Sequence, residues 1–115
     1  MSDFNTALDA WMKGNRQQAI QLWQALAEDG DARSQYNLGV ILDNGDGVAR
    51  DAALAVHYYR QAAEQGFADA AFNLAVILDT GDGVTVDRAE AARWFWVAAE
   101  KGNPQAAFKL GLMYD

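Results

Sequence analysis

Few side chains in this sequence are of a kind that makes or breaks covalent bonds. Its 115 residues hold no cysteine, one histidine (His57) and two serines, Ser2 and Ser34. Without cysteine there is no thiol nucleophile, no disulfide framework and no Cys-ligated zinc or iron–sulfur site. A single histidine excludes a multi-histidine metal site and a two-histidine mechanism. Neither serine opens a Ser-x-x-Lys pattern, because Ser34 leads Gln35-Tyr36-Asn37. His57 stands where equivalent positions carry Gln21 and Arg93, so it reads as a solvated polar position.

The acidic loops invite a calcium reading, which their spacing defeats. Counted from Asp79, the residues Thr85, Asp87 and Glu90 fall at the seventh, ninth and twelfth places of an EF-hand loop. Gly81 and Gly83 then occupy the third and fifth places, where oxygen ligands are needed, and Val84 replaces the required glycine. The matching loop from Asp43 puts Leu54 in the twelfth place. Turn and cap chemistry accounts for these acids. The Gly-x-Gly pairs are not phosphate loops either, since no strand precedes them and no lysine follows. No cofactor and no metal is therefore expected.

Charge narrows the partners. Nine Lys+Arg against 16 Asp+Glu leave a formal charge of −7, which argues against a phosphate-backbone binder, and nucleic acid is not expected. No apolar run is long enough for a membrane helix. The opening Met1-Ser2-Asp3-Phe4-Asn5 carries an early acid and no basic stretch before an apolar one, unlike a secretory signal. The expectation is a soluble cytoplasmic protein with no membrane partner.

Chemistry being scarce, the elements carry the information, and they repeat. Gly30, Gly66 and Gly102 are 36 residues apart, as are Leu38, Leu74 and Leu110. Trp23, Tyr59 and Phe95 hold one aromatic column at that interval, and Tyr36, Phe72 and Phe108 hold another. The segment Asn37 to Val48 recurs as Asn73 to Val84 with ten of twelve positions identical. A fixed period of this size marks a stack of supersecondary units.

Each unit reads as two helices. Helices are expected at about 3–13, 15–28, 31–43, 51–65, 68–79, 87–101 and 104–114. Asn103-Pro104 is a start signal, because Asn caps open amides and Pro at the first helical position loses no hydrogen bond. Asp87 with Glu90 three residues on resembles a capping box. The glycines are left-handed stops, and Gly45-Asp46-Gly47 and Gly81-Asp82-Gly83 are tight reversals. The expected organisation is one repeat domain over 1–115: a short first hairpin (1–29), repeats at 30–65 and 66–101, and an unpaired last helix (102–115). Alanine, 23 residues in all, recurs where helices must lie close, as at Ala19, Ala55 and Ala91. The expected fold is all-α, a right-handed α-solenoid of about seven helices in which each unit touches its neighbours.

Ala-x-x-Tyr-Tyr-Arg-Gln-Ala-Ala-Glu-Gln-Gly at 55–66, with Ala68 to Leu74 and the Gly-Asp-Gly-Val loop, resembles the Sel1-like repeat proteins, close relations of the tetratricopeptide repeats. The resemblance covers essentially the whole chain. It implies a non-catalytic adaptor or scaffold, often in bacterial pathways, that binds a protein or peptide. The alternative is an enzyme or small-ligand-binding member using the concave groove. A disulfide-rich branch of the family is associated with β-lactam binding, and this cysteine-free chain departs from it.

By analogy with tetratricopeptide repeats, the first helices line the concave face. That groove would receive Tyr36, Val40 and Asp43, then Phe72, Val76 and Asp79, then Phe108 and Leu112, one helical stripe suited to an apolar segment with basic residues. Core packing is the competing role for the aromatics. Asn5, Asn37, Asn73 and Lys109 form a second column, which would either hold a peptide backbone or brace a neighbouring loop. Trp96-Val97 stands where other units carry Gln24-Ala25 and Arg60-Gln61, and marks a partner or self-association surface or packs beneath the last helix. Leu110, Met113 and Tyr114 are expected to face a missing second helix. That end lacks the polar cap usual in terminal repeats, leaving self-association through the last helix open.

Overall fold

A computed structural model describes residues 3–114 of the chain. Among these, seven helices follow one another: α1 (Phe4–Met12), α2 (Arg16–Glu28), α3 (Ala32–Asn44), α4 (Ala52–Glu64), α5 (Ala68–Thr80), α6 (Arg88–Glu100) and α7 (Pro104–Met113). Ser2 lies outside the described residues.

The helix starts are fixed by short polar side chains. Asp3, Asp31, Asp51, Asp87 and Asn103 each accept a hydrogen bond from the amide three residues on, at 2.9–3.1 Å. A cap of this kind stabilises a helix by about 1 kcal/mol. The capping box at α6 is only half made. Asp87 caps Glu90, but the Glu90 carboxylate turns away to bind Arg60 and Trp94. α2 and α5 depart further: Asn15 makes no side-chain cap bond, and the α5 cap position holds Phe67, which makes none either and stacks on Tyr36 with centroids 5.1 Å apart. Gly45 and Gly81 end α3 and α5 in the left-handed conformation, at φ of 68° and 70°.

Consecutive helices pack as antiparallel hairpins, and hairpins stack in sequence into an α-solenoid measuring 48 × 26 × 21 Å. Trp23, Tyr59 and Phe95 are essentially fully buried, one ring in each second helix. Ala19, Ala55, Ala91, Ala62 and Ala98 show no exposure, the close approaches that small side chains permit. Between helices the approach is also close at Gly39, where a Cβ would lie 2.6 Å from the Tyr59 ring. Ala75, in the corresponding place, is fully buried in the core that holds Phe95.

The loops are tied to each other by arginine. Arg16 Nη1 reaches Asp46 at 2.6 Å, and Arg50 reaches Asp82 at 3.3 Å while its Nε donates to the Asp43 carbonyl at 2.7 Å. The residue corresponding to Arg50 one repeat later is Val86, half exposed, so the ladder stops there.

Two expectations about the last helix are corrected. Leu110 is buried and Met113 is packed against the core, so neither waits for a missing helix. Both belong to the stripe, with Ala106, that packs on the preceding repeat, as Leu74 and Ile77 do in α5. The side facing a next helix is instead Ala107, Gly111 and Tyr114, corresponding to the buried Ala71, Ala75 and Leu78.

Candidate partner-binding groove

First helices of successive repeats place the same positions side by side, so the candidate residues gather into tiers. The middle tier forms the smallest depression. Tyr36, Val40, Asp43, Phe72, Asn73 and Val76 line one depression of about 250 Å³, with Tyr59 at its floor. The stripe expected from spacing is thus a surface feature here, and its aromatics are half-buried: Tyr36 packs on Phe67 and Tyr59, and Phe72 meets Phe95 edge-on at 5.9 Å. Groove and core share these rings.

Polarity in this tier is organised by one hydroxyl. Tyr59 Oη donates to Asp43 Oδ2 and accepts from Asn73 Nδ2, each at 3.4 Å. Burial pushes the Tyr59 phenol far above its ordinary pKa, partly offset by the Asn73 bond, with the Asp43 charge adding to the rise. Tyr36 is raised as well, by burial first and by the Asp69 charge second. Both phenols stay neutral at any physiological pH and serve as hydrogen-bonding surface. Asn73 is a brace for Tyr59.

The next tier is wider and more charged. Asp79, Arg88, Ala92, Lys109, Leu112 and Met113 border a depression of about 460 Å³. Phe95 has replaced tyrosine and Lys109 has replaced asparagine, so no hydroxyl bridge forms; Asp79 pairs with Arg88 at 3.6 Å. Phe108 borders a further opening with Phe72 and Pro104, and is 67% exposed.

The first tier has the opposite character. Phe4, Trp11 and Trp23 cluster with centroids 5.7 Å apart, and the guanidinium groups of Arg33 and Arg16 lie 4.4 Å over the Phe4 and Trp11 rings. At the spacing of 32 that aligns Asn5 with Asn37, Trp11 takes the place of Asp43. The buried Trp23 Nε1 consequently has no acceptor, alone among buried side-chain donors of the described residues. Asn5 is exposed and Asn37 half-buried, so the asparagine column is not one uniform surface.

Trp96 lies outside the groove, 56% exposed, with Val97 half-buried beside it. Its counterpart Arg60 makes a two-pronged bond to Glu90 of the next second helix, both at 2.9 Å. That cluster escaped the sequence reading because Glu90 corresponds to Leu54, so no repeat column announces it. The Arg60 bonds, with a further one from Trp94, hold the Glu90 carboxyl below its ordinary pKa against the opposing effect of burial. No group of three or more His, Asp or Glu side chains with metal-binding proximity occurs among the described residues, and none of their helices is long and apolar enough to cross a membrane.

The Sel1 repeat model matches residues 9–31, 32–67, 68–103 and 104–115, each later match starting at a first helix. This chain belongs to the Sel1 repeat family. Solved structures agree with that membership. A Sel1 repeat protein of Oxalobacter formigenes is 31% identical over 96% of this chain, with a TM-score of 0.85. A protective antigen of uropathogenic Escherichia coli with an SLR fold is 33% identical over 96%, with a TM-score of 0.84. Helicobacter pylori cysteine rich protein B is 25% identical over 83%, with a TM-score of 0.76. The chain spans 46%, 25% and 71% of these three structures. No curated protein matches the sequence significantly.

Proposed function

We propose that this Sel1 repeat chain is a non-catalytic interaction module that takes an extended segment of a partner protein in the groove of its first helices. One observation carries the reading: Tyr36, Val40, Asp43, Phe72, Asn73 and Val76, on two different helices, line a single depression. Its apolar walls and Asp43, with Asp79 in the neighbouring depression, suit a segment with aliphatic and basic residues. Two features favour binding over catalysis. Burial moves the phenol pKa values further above neutral pH, and Asp43 and Asp79 are paired with Arg50 and Arg88. A base for catalysis needs the opposite tuning. Bacterial relatives support a bacterial setting, and the cytoplasm is the compartment we assign to this activity.

The test is selection of a displayed library of random linear peptides on the purified chain. Recovered peptides should combine aliphatic residues with Lys or Arg, and should lose binding to the Val40→Asp and Val76→Asp variants. Failure to enrich any peptide, or enrichment indifferent to both variants, would overturn the reading.

A further inference from the structure

The α7 helix presents two halves of a contact that the chain makes elsewhere within itself. In the α3–α4 hairpin the Tyr59 ring lies directly on Gly39, where a Cβ would come within 2.6 Å. Gly111 is the same position of the repeat, and nothing lies within 4 Å of the place its Cβ would occupy. Phe108, three residues earlier, is 67% exposed. Three residues is one helical turn, so glycine and ring share a face, opposite the buried stripe of Ala106 and Leu110.

We propose that two copies of this chain pair through α7 about a two-fold axis, each Phe108 ring lying over Gly111 of the other copy. An antiparallel pair centred between positions 108 and 111 brings both contacts together at once, as a self-complementary interface requires. The pairing continues an established interface: positions 107, 111 and 114 correspond to Ala71, Ala75 and Leu78, which the neighbouring helix buries in the repeat before. Ala107 and Gly111, four residues apart, let the backbones approach closely.

Charge selects the same helix. The chain carries −7, so two copies repel over most of their surface. Every other helix holds at least one Asp or Glu, whereas α7 holds none, and Lys109 is its sole charge. Trp96, on the preceding helix, is 56% exposed. Its counterpart Arg60 reaches toward the next second helix for Glu90, and a tryptophan in that direction calls for an apolar neighbour in place of an acid.

Sedimentation of the intact chain from about 1 to several hundred µM tests the pairing. A mass rising from one chain to two is expected. Gly111→Gln should weaken dimerisation at least about tenfold while leaving the helical circular dichroism unchanged, since its site is open in the single chain. Phe108→Glu should do the same. The chain is cysteine-free, so mixing Phe108→Cys with Gly111→Cys chains should yield a disulfide-linked heterodimer ahead of either homodimer. A chain that stays monomeric throughout the range overturns the proposal and leaves this face to another protein or a following repeat. So does a dimer that Gly111→Gln does not weaken. Neither readout involves Val40 or Val76, so groove binding and pairing fail or hold separately.

Discussion

The tier around Tyr59 and the tier around Phe95 occupy the same place in successive repeats and present different surfaces. In the first, a phenol hydroxyl joins Asp43 to Asn73 and the depression is about 250 Å³. In the second, phenylalanine and Lys109 leave Asp79 to pair with Arg88, and the depression is about 460 Å³. The backbone frame is common to both. The lesson is that a repeat fixes where a groove runs, while one or two substitutions per unit set what each stretch of it recognises.

The largest effect should come from testing coverage at the repeat's glycine position. Gly39→Ala forces a methyl into the Tyr59 ring and should destabilise by about 1–3 kcal/mol in urea unfolding. Gly111→Ala, the same change with open space around it, should stabilise the monomer by about 0.5–1 kcal/mol through helix propensity. Equal responses at the two sites would mean that the hairpin contact is not what distinguishes them.

The hydroxyl bridge comes next. Tyr59→Phe makes the middle tier resemble its neighbour and should cost about 0.5–1.5 kcal/mol. Phe95→Tyr should return no comparable gain, because Phe95 is fully buried and an added hydroxyl must displace packed neighbours. Chemical denaturation of both variants checks the asymmetry.

Acid tests the link between second helices. The Glu90 carboxyl is held below its ordinary value of 4.5 when folded, so the unfolded chain binds the proton first as pH falls. Its contribution is present above that value and is lost as pH drops through the lower folded pKa. Glu90→Gln should therefore flatten the decline in stability below about pH 4.5, measured as unfolding midpoint against pH. A change of similar size is expected at the first tier. Trp23→Phe removes a buried donor that has no acceptor, and the relief offsets part of the lost packing, leaving a net cost of about 1 kcal/mol, well below a ring truncation.

Much of the molecule was legible in advance, for a physical reason. When each unit must bury the same stripes against the next, the constraint is written once per repeat, so Trp23, Tyr59 and Phe95 declare themselves as a column. The groove stripe at Tyr36, Val40 and Asp43 could be placed because its spacing is that of one helix face. Contacts made once were not legible. Arg60 with Glu90 pairs residues whose counterparts are Trp96 and Leu54, and the loop ladder of Arg50 ends at Val86, so neither leaves a repeating mark. The last helix departs from expectation for a related reason. Leu110, Met113 and Tyr114 are all apolar, and type alone does not say which of two apolar stripes faces the preceding repeat.

By itself, then, the sequence determined the period, the helices, the caps at Asp87 and Asn103 and the seams where small residues let helices close. Those depend on short-range geometry and on patterns that repetition makes redundant. Tertiary structure alone decided that Glu90 would leave its capping box for Arg60, that Trp23 would be stranded without an acceptor, and that Gly111 would stand open beside an exposed ring. Each depends on what a distant element brings to one point in space, and a burial pattern along the chain carries no record of that.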